Sequence, residues 1–161
     1  MSIKTGDAIP EASFKQMTPD GIVDISTREL FEGKKVVLFA VPGAMTPTCS
    51  EVHMPGFIEK IEAIKSGNVD TVACLAVNDV FVINEWRKAR SIPDDIVLLS
   101  DGNGEFTSKV GLELDASRFG MGTRSRRYAA IVDDGVLTYL GVEPAGEVGV
   151  SGADAVLEQL G

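Results

Sequence analysis

Cys49 is the residue of this chain best placed to do chemistry. It follows an apolar run, Val36 to Ala40, and a turn, Val41-Pro42-Gly43-Ala44-Met45, and it falls where a helix should begin. Thr46 can cap that helix, and Pro47 suits its first position, whose missing amide would have no intrahelical partner. A thiol in the first turn of a helix faces unpaired amides and the positive end of the macrodipole, which favour thiolate over thiol. Pro42, Gly43 and Pro47 stiffen and open the turn. A reactive, reachable thiol is therefore expected rather than a small buried hydrophobe.

Thiolate character alone takes the chemistry only part of the way. Lowering a thiol's pKa from about 8.5 to about 6 raises its thiolate fraction at pH 7 from ~3% to ~90%, a gain of roughly 30-fold, or about 2 kcal/mol. The same change weakens intrinsic nucleophilicity. Fast attack on a weak electrophile thus needs groups that stabilise the transition state by donating to oxygens whose charge changes. Thr46 and the backbone amides of the turn are the expected donors, and a fixed cation should complete the site. Arg124, Arg126 and Arg127 form the only basic cluster suited to approach it. In a strand Arg126 and Arg127 face opposite ways, so at most one points at Cys49. Spacing leaves open which one does, and whether the cluster is simply a solvated face.

His53, the only histidine, lies four residues after Cys49 and shares its helix face if the helix is regular there. A Cys/His hydrolase would need a group to orient the imidazole, and none is obvious. Cys74 lies mid-strand among Val72, Ala73, Leu75 and Ala76, where burial raises a thiol's pKa, so core packing is its expected role. One histidine and two distant thiols do not make a metal centre, and no Gly-rich phosphate loop is present. No cofactor is expected.

The elements that must hold these residues can be read in turn. Residues 8 to 25 look extended, with Thr18-Pro19-Asp20-Gly21 as the turn of an outlying hairpin. Ser26-Thr27-Arg28-Glu29 has the capping-box pattern and opens a short helix closed by Gly33. Val36 to Ala40 suits a strand buried on both faces, in mid-sheet. The Cys49 helix should run to about Lys65, with a kink where Pro55 removes the bond to Glu51. Val72 to Val77 is a second buried strand, and Asn78-Asp79 caps a helix to Arg90 with Val82, Trp86 and Ala89 on one face. Ile96 to Leu99 is a third strand, followed by a brief helix from Phe106 to Val110. Ala116 to Ser125 is expected as a surface loop. Asp133-Asp134-Gly135 joins Arg127 to Val132 and Val136 to Val142 as a hairpin, and a last helix, capped by Ser151 or Asp154, ends at Leu160. Strand-helix units followed by an antiparallel hairpin and a helix give an α/β fold of the thioredoxin kind, a central mixed sheet flanked by helices with an N-terminal β-hairpin extension.

With 161 residues the chain fits one domain, 1–161. Its net charge of −9, from 15 basic and 24 acidic residues, and the lack of a dense basic run argue against nucleic acid as a partner. No apolar run approaches the ~20 residues that span a bilayer, and Met1 to Asp7 lacks a signal pattern, so a soluble, cytoplasmic protein is expected, with no membrane partner.

The stretch Pro42-Gly43-Ala44-Met45-Thr46-Pro47-Thr48-Cys49-Ser50-Glu51-Val52-His53-Met54-Pro55-Gly56-Phe57 resembles the peroxidatic site of the peroxiredoxins, specifically the peroxiredoxin-5 (type II) subfamily. The likeness covers nearly the whole chain, through Val77-Asn78-Asp79, Leu99-Ser100-Asp101-Gly102, Arg124-Ser125-Arg126-Arg127-Tyr128 and Val142-Glu143-Pro144. The resemblance implies a thiol peroxidase for hydrogen peroxide and small alkyl hydroperoxides, in antioxidant defence. By the same resemblance Cys49 would be the peroxidatic thiolate, Thr46 would hold the peroxide, Pro42 would shield the sulfur, and Arg127 would be the active-site arginine. Attack on the terminal peroxide oxygen would leave a sulfenic acid.

Some members of the subfamily resolve that sulfenic acid with a cysteine near the C-terminus; here only Ser151 stands in that region, and no cysteine follows Cys74. The resemblance then implies recycling by glutathione, glutaredoxin or thioredoxin, and a homodimer in which Met45, Phe119 or Met121 could serve the interface. Two other classes remain open at this point: a peroxide sensor relaying oxidation to a partner protein, and a thiol-disulfide oxidoreductase, the latter weakened by the absence of C-x-x-C.

Overall fold

The computed structural model describes residues 2–144 and 147–160. In chain order the elements are β1 (Ser13–Thr18), β2 (Gly21–Ser26), α1 (Thr27–Phe31), β3 (Lys35–Val41), a π-helical turn (Cys49–His53) that runs into α2 (Met54–Lys65), β4 (Thr71–Ala76), α3 (Val80–Arg90), β5 (Ile96–Ser100), α4 (Glu105–Val110), β6 (Glu113–Asp115), β7 (Thr123–Ser125), β8 (Tyr128–Asp133), β9 (Val136–Val142) and α5 (Ala153–Leu160). Among the described residues seven strands form one mixed sheet in the order β2-β1-β5-β4-β3-β8-β9.

The position of β3 follows from its composition. A strand apolar from Val36 to Val41 suits a place where both faces are covered, and β3 pairs in parallel with β4 and antiparallel with β8. Its alternate side chains feed two core layers. Val37, Phe39 and Val41 meet Phe57 and Ile61 of α2, Trp86 of α3 and Val156 of α5, while Val36, Leu38 and Ala40 meet Phe31 and Phe106 on the other face. Each such ring or branched chain withdrawn from water contributes about 1.5–3 kcal/mol. The Phe39 and Phe57 rings stack at 3.9 Å and tie the Cys49 helix to mid-sheet.

Local chemistry sets the element ends. Ser26 and Glu29 form the reciprocal capping box at α1, and Asp79 accepts from the Val82 amide at the start of α3. Asp134 and Gly135 both take positive φ, 47° and 79°, as a tight hairpin turn requires.

Several expectations need correction. The N-terminal hairpin is not outlying, because β1 joins the main sheet beside β5 through Lys15 and Ser100. Residues 116–125 are more than a loop: β6 and β7 pair as a small second sheet around the 3-10 turn Ser117–Phe119. Strands of three mostly polar residues carry no periodic signal by which to find them. On α3 the buried face is Val80, Ile83 and Trp86, at i, i+3 and i+6, and Ala89 is exposed. Neither Ser151 nor Asp154 is seen to cap α5; the Ser151 hydroxyl goes to Glu143, and the Gly152 carbonyl accepts the Val156 amide.

Candidate active site

Cys49 stands at the head of the helix that leaves β3. The turn before it is tight. A Cβ on Gly43 would lie 2.9 Å from both Met121 Cε and Thr46 Cγ2, so only glycine fits there without a shift. Met45 takes φ +70°, a conformation that costs a residue with a side chain about 1 kcal/mol or more and that the packing around it must sustain. The Ala44 amide donates to Asn78 Oδ1 at 2.8 Å and pins the turn to the end of β4.

Residues 47 and 48 are helical, and Cys49–His53 then widens to a π-helical turn in which the Met54 amide reaches back to the Cys49 carbonyl. This turn lies directly before Pro55, where the sequence leads one to expect a break in the regular ladder. A ring without an N–H breaks the regular ladder, and the backbone absorbs the break by lengthening the bond span by one residue.

The π-helical turn brings three side chains together. Arg127, buried just before β8, donates from one terminal nitrogen to Cys49 Sγ at 3.2 Å and from the other to His53 Nδ1 at 2.8 Å. His53 Nε2 lies 2.8 Å from the Ser151 carbonyl. A carbonyl only accepts and a guanidinium only donates, so the ring is neutral with its proton on Nε2. Burial, the largest influence, together with the neighbouring Arg127 lowers the His53 pKa to about 4, against the opposing pull of the Ser151 bond and Glu143. Glu143 in turn accepts from the Ser151 amide and hydroxyl at 2.8 and 2.7 Å and from the Gly149 amide. Burial pushes that carboxyl up, but these donors outweigh it and hold Glu143 below its usual value.

The arginine ambiguity is resolved by geometry. Arg124 donates to the Met121 and Val77 carbonyls and clasps the loop, Arg126 is exposed, and Arg127 alone reaches the sulfur. The donor role expected of Thr46 does not hold: its hydroxyl donates its one proton to the Gly43 carbonyl at 2.6 Å, so its oxygen faces a ligand as an acceptor. Nor does that hydroxyl cap the helix, although the Thr46 carbonyl accepts the Ser50 amide at 3.0 Å.

Pro42, Thr46 and Arg127 line a common cleft of about 670 Å³, whose outer wall includes Leu114, Phe119, Met121 and Pro144. Cys49 itself is fully buried, which corrects the expectation of an open thiol. Arg127 both lines the cleft and touches the sulfur, so the thiol lies one side chain below the cleft floor. Cys74 is also a free, buried thiol, and burial followed by the influence of Cys49 pushes it well above its ordinary value. His53 joins this cluster although the sequence offered no partner to orient its ring. The spacing to Cys49 signalled it, but its partners lie 74 and 98 positions away.

The profile of the Redoxin family matches residues 4–157. The chain is 46% identical over 163 residues to chloroplastic peroxiredoxin-2E of Arabidopsis thaliana, covering 99% of this chain and 70% of that protein. Its fold matches reduced Prx3 of Vibrio vulnificus, solved in complex with hydrogen peroxide, at a TM-score of 0.94, with 46% identity and 99% of each chain covered. It matches the 1-Cys peroxiredoxin of Plasmodium falciparum at a TM-score of 0.91, with 34% identity and 98% of each chain covered.

Proposed function

Because the chain belongs to the peroxiredoxins of the Redoxin family, and is therefore a thiol-dependent peroxidase with an antioxidant function, we propose that Cys49 is its peroxidatic thiol, served by Thr46, Arg127 and Pro42. The contact of Arg127 with the Cys49 sulfur carries this assignment. Hydrogen peroxide and small alkyl hydroperoxides are the proposed substrates; the Vibrio vulnificus relative is described in complex with hydrogen peroxide.

The chemistry follows from which groups can donate. The Cys49 thiolate attacks one peroxide oxygen, forming the S–O bond as the O–O bond breaks. The attacked oxygen keeps its hydrogen and becomes the sulfenic acid, and the other leaves as hydroxide or alkoxide and takes a proton to become water or an alcohol. Thr46 accepts a hydrogen bond from the attacked oxygen, since its own proton is held by Gly43. Arg127 stabilises the charge that moves from sulfur to the leaving oxygen. Pro42 walls the cleft and keeps bulk water from the sulfur.

Return to the thiol requires an outside reductant, proposed as glutathione, glutaredoxin or thioredoxin. Cys74 is poorly suited to resolve Cys49, being a raised thiol locked in β4. The Plasmodium falciparum relative is itself described as a 1-Cys peroxiredoxin. A homodimer is proposed through the rim of the cleft, where Met45 and Phe119 are exposed. A cytoplasmic location suits a chain whose two thiols are free and whose catalytic cycle needs a thiol reductant.

The test is peroxide consumption by purified protein with each reductant in turn. Wild type and Cys74→Ser should turn over and Cys49→Ser should not; equal activity of the two variants overturns the assignment.

A further inference from the structure

We infer that His53 is a positioning residue for peroxide reduction: as a neutral imidazole anchored to the Ser151 carbonyl, it holds Arg127 in contact with Cys49. The inference rests on the peroxidase assignment of Cys49 and Arg127 given above.

Four hydrogen-bonded links run from the buried Glu143 carboxylate to the sulfur. Glu143 fixes Ser151, the Ser151 carbonyl accepts from His53 Nε2, His53 Nδ1 accepts from Arg127, and Arg127 donates to Cys49. The π-helical turn makes the last two meetings possible, because it sets the sulfur and the ring, four residues apart, on the two terminal nitrogens of one guanidinium. The ring is clamped as well as bonded, since it packs against Phe39 and Phe57 with centroids 5.1 and 5.6 Å away.

The charge of the acceptor matters. A guanidinium needs an acceptor to hold its orientation in a buried site, but an anionic acceptor would compete with the sulfur for its charge. A neutral nitrogen fixes the direction of the fork and leaves the positive charge directed at Cys49 and at the leaving oxygen. The charged groups acting on the ring are Arg127 and Glu143, and Cys49 lies beyond Arg127 on its other terminal nitrogen. Protonating the ring would remove the acceptor and set a second cation against Arg127, which is the arrangement that burial and Arg127 resist.

Two measurements test the inference. Trp86, the only tryptophan, donates from its indole nitrogen to Ser50 Oγ beside Cys49, so its fluorescence in stopped flow can follow Cys49 oxidation. His53→Leu should slow oxidation by peroxide about 10- to 100-fold, the scale of loss when a catalytic group is left misplaced by about 1 Å. His53→Gln, whose amide can accept from Arg127 and donate to Ser151, should recover most of that loss. A folded His53→Leu that reacts at the wild-type rate overturns the inference, and so does a His53→Gln no faster than His53→Leu.

Nitrogen-15 NMR of the wild type needs no variant to fold, and the single histidine gives one unambiguous set of ring signals. A neutral ring carrying its proton on Nε2 at pH 7, and protonating only near pH 4, supports the inference. A proton on Nδ1, or titration near 6.5, overturns it. Failure of the peroxidase assignment would show separately, as peroxide consumption that survives Cys49→Ser. Failure of this inference leaves wild-type activity intact and shows only at His53.

Discussion

The guanidinium of Arg127 lies 3.2 Å from the Cys49 sulfur, although the two residues stand 78 positions apart in sequence. Parallel pairing of β3 with β4 and antiparallel pairing of β3 with β8 bring them together, since Cys49 follows the end of β3 and Arg127 precedes the start of β8. The sheet holds in register a contact that neither local segment could make.

Loss of that contact should be costly. Arg127→Leu is expected to slow peroxide oxidation of Cys49 by roughly 10²- to 10³-fold, about 3–4 kcal/mol, the scale of removing one preorganised donor from a charge-developing site. Arg127→Lys should recover little, because an ammonium cannot serve His53 and the sulfur through one planar fork. Stopped-flow oxidation at pH 7 measures both; a Lys variant at the wild-type rate would mean that charge alone suffices.

Thr46 separates an acceptor role from a donor role. Thr46→Ser keeps the oxygen and the bond to Gly43, whereas Thr46→Val removes both while keeping the shape. Thr46→Ser should oxidise at nearly the wild-type rate, and Thr46→Val about 10²-fold more slowly. Equal rates for the two variants would show that the hydroxyl takes no part.

Acid stability should carry the signature of His53. Its folded pKa, about 4, lies below the ordinary 6.5, so between these values the unfolded chain binds more protons and stability rises with pH. The contribution is fully present above about pH 6.5 and is lost as pH falls toward 4, by about 3 kcal/mol in all. Glu143, whose folded value is also lowered, contributes stability that is lost only as pH falls below the ordinary carboxylate range. Denaturant titrations of wild type and His53→Gln between pH 7 and pH 5 should therefore diverge, with the variant flatter. Parallel curves would contradict a buried neutral ring.

Much of this was legible in the sequence, for identifiable reasons. Strands β3, β4 and β5, the Ser26 capping box and the Asp134-Gly135 turn announce themselves through continuous apolar runs or short-range turn chemistry, which depend on near neighbours. Cys49 could be singled out because a thiol after a strand and beside a helix-start signal is unusual. The rest depends on distant partners. No spacing rule shows that Thr46 gives its proton to Gly43, that Arg124 clasps Met121 and Val77 while Arg127 turns inward, or that Ser151 orients His53. The family resemblance supplied Arg127 where spacing could not, and the hydrogen-bond geometry supplied His53 where neither did.

The central claim is that peroxide oxidises Cys49 alone and leaves it waiting for an outside thiol. Treating reduced protein with one equivalent of hydrogen peroxide in the presence of dimedone, followed by peptide mass spectrometry, tests it directly. The expected result is a dimedone adduct on the peptide holding Cys49, with Cys74 unmodified and no disulfide between them. An adduct at Cys74, or a Cys49–Cys74 disulfide formed before dimedone can react, would contradict it.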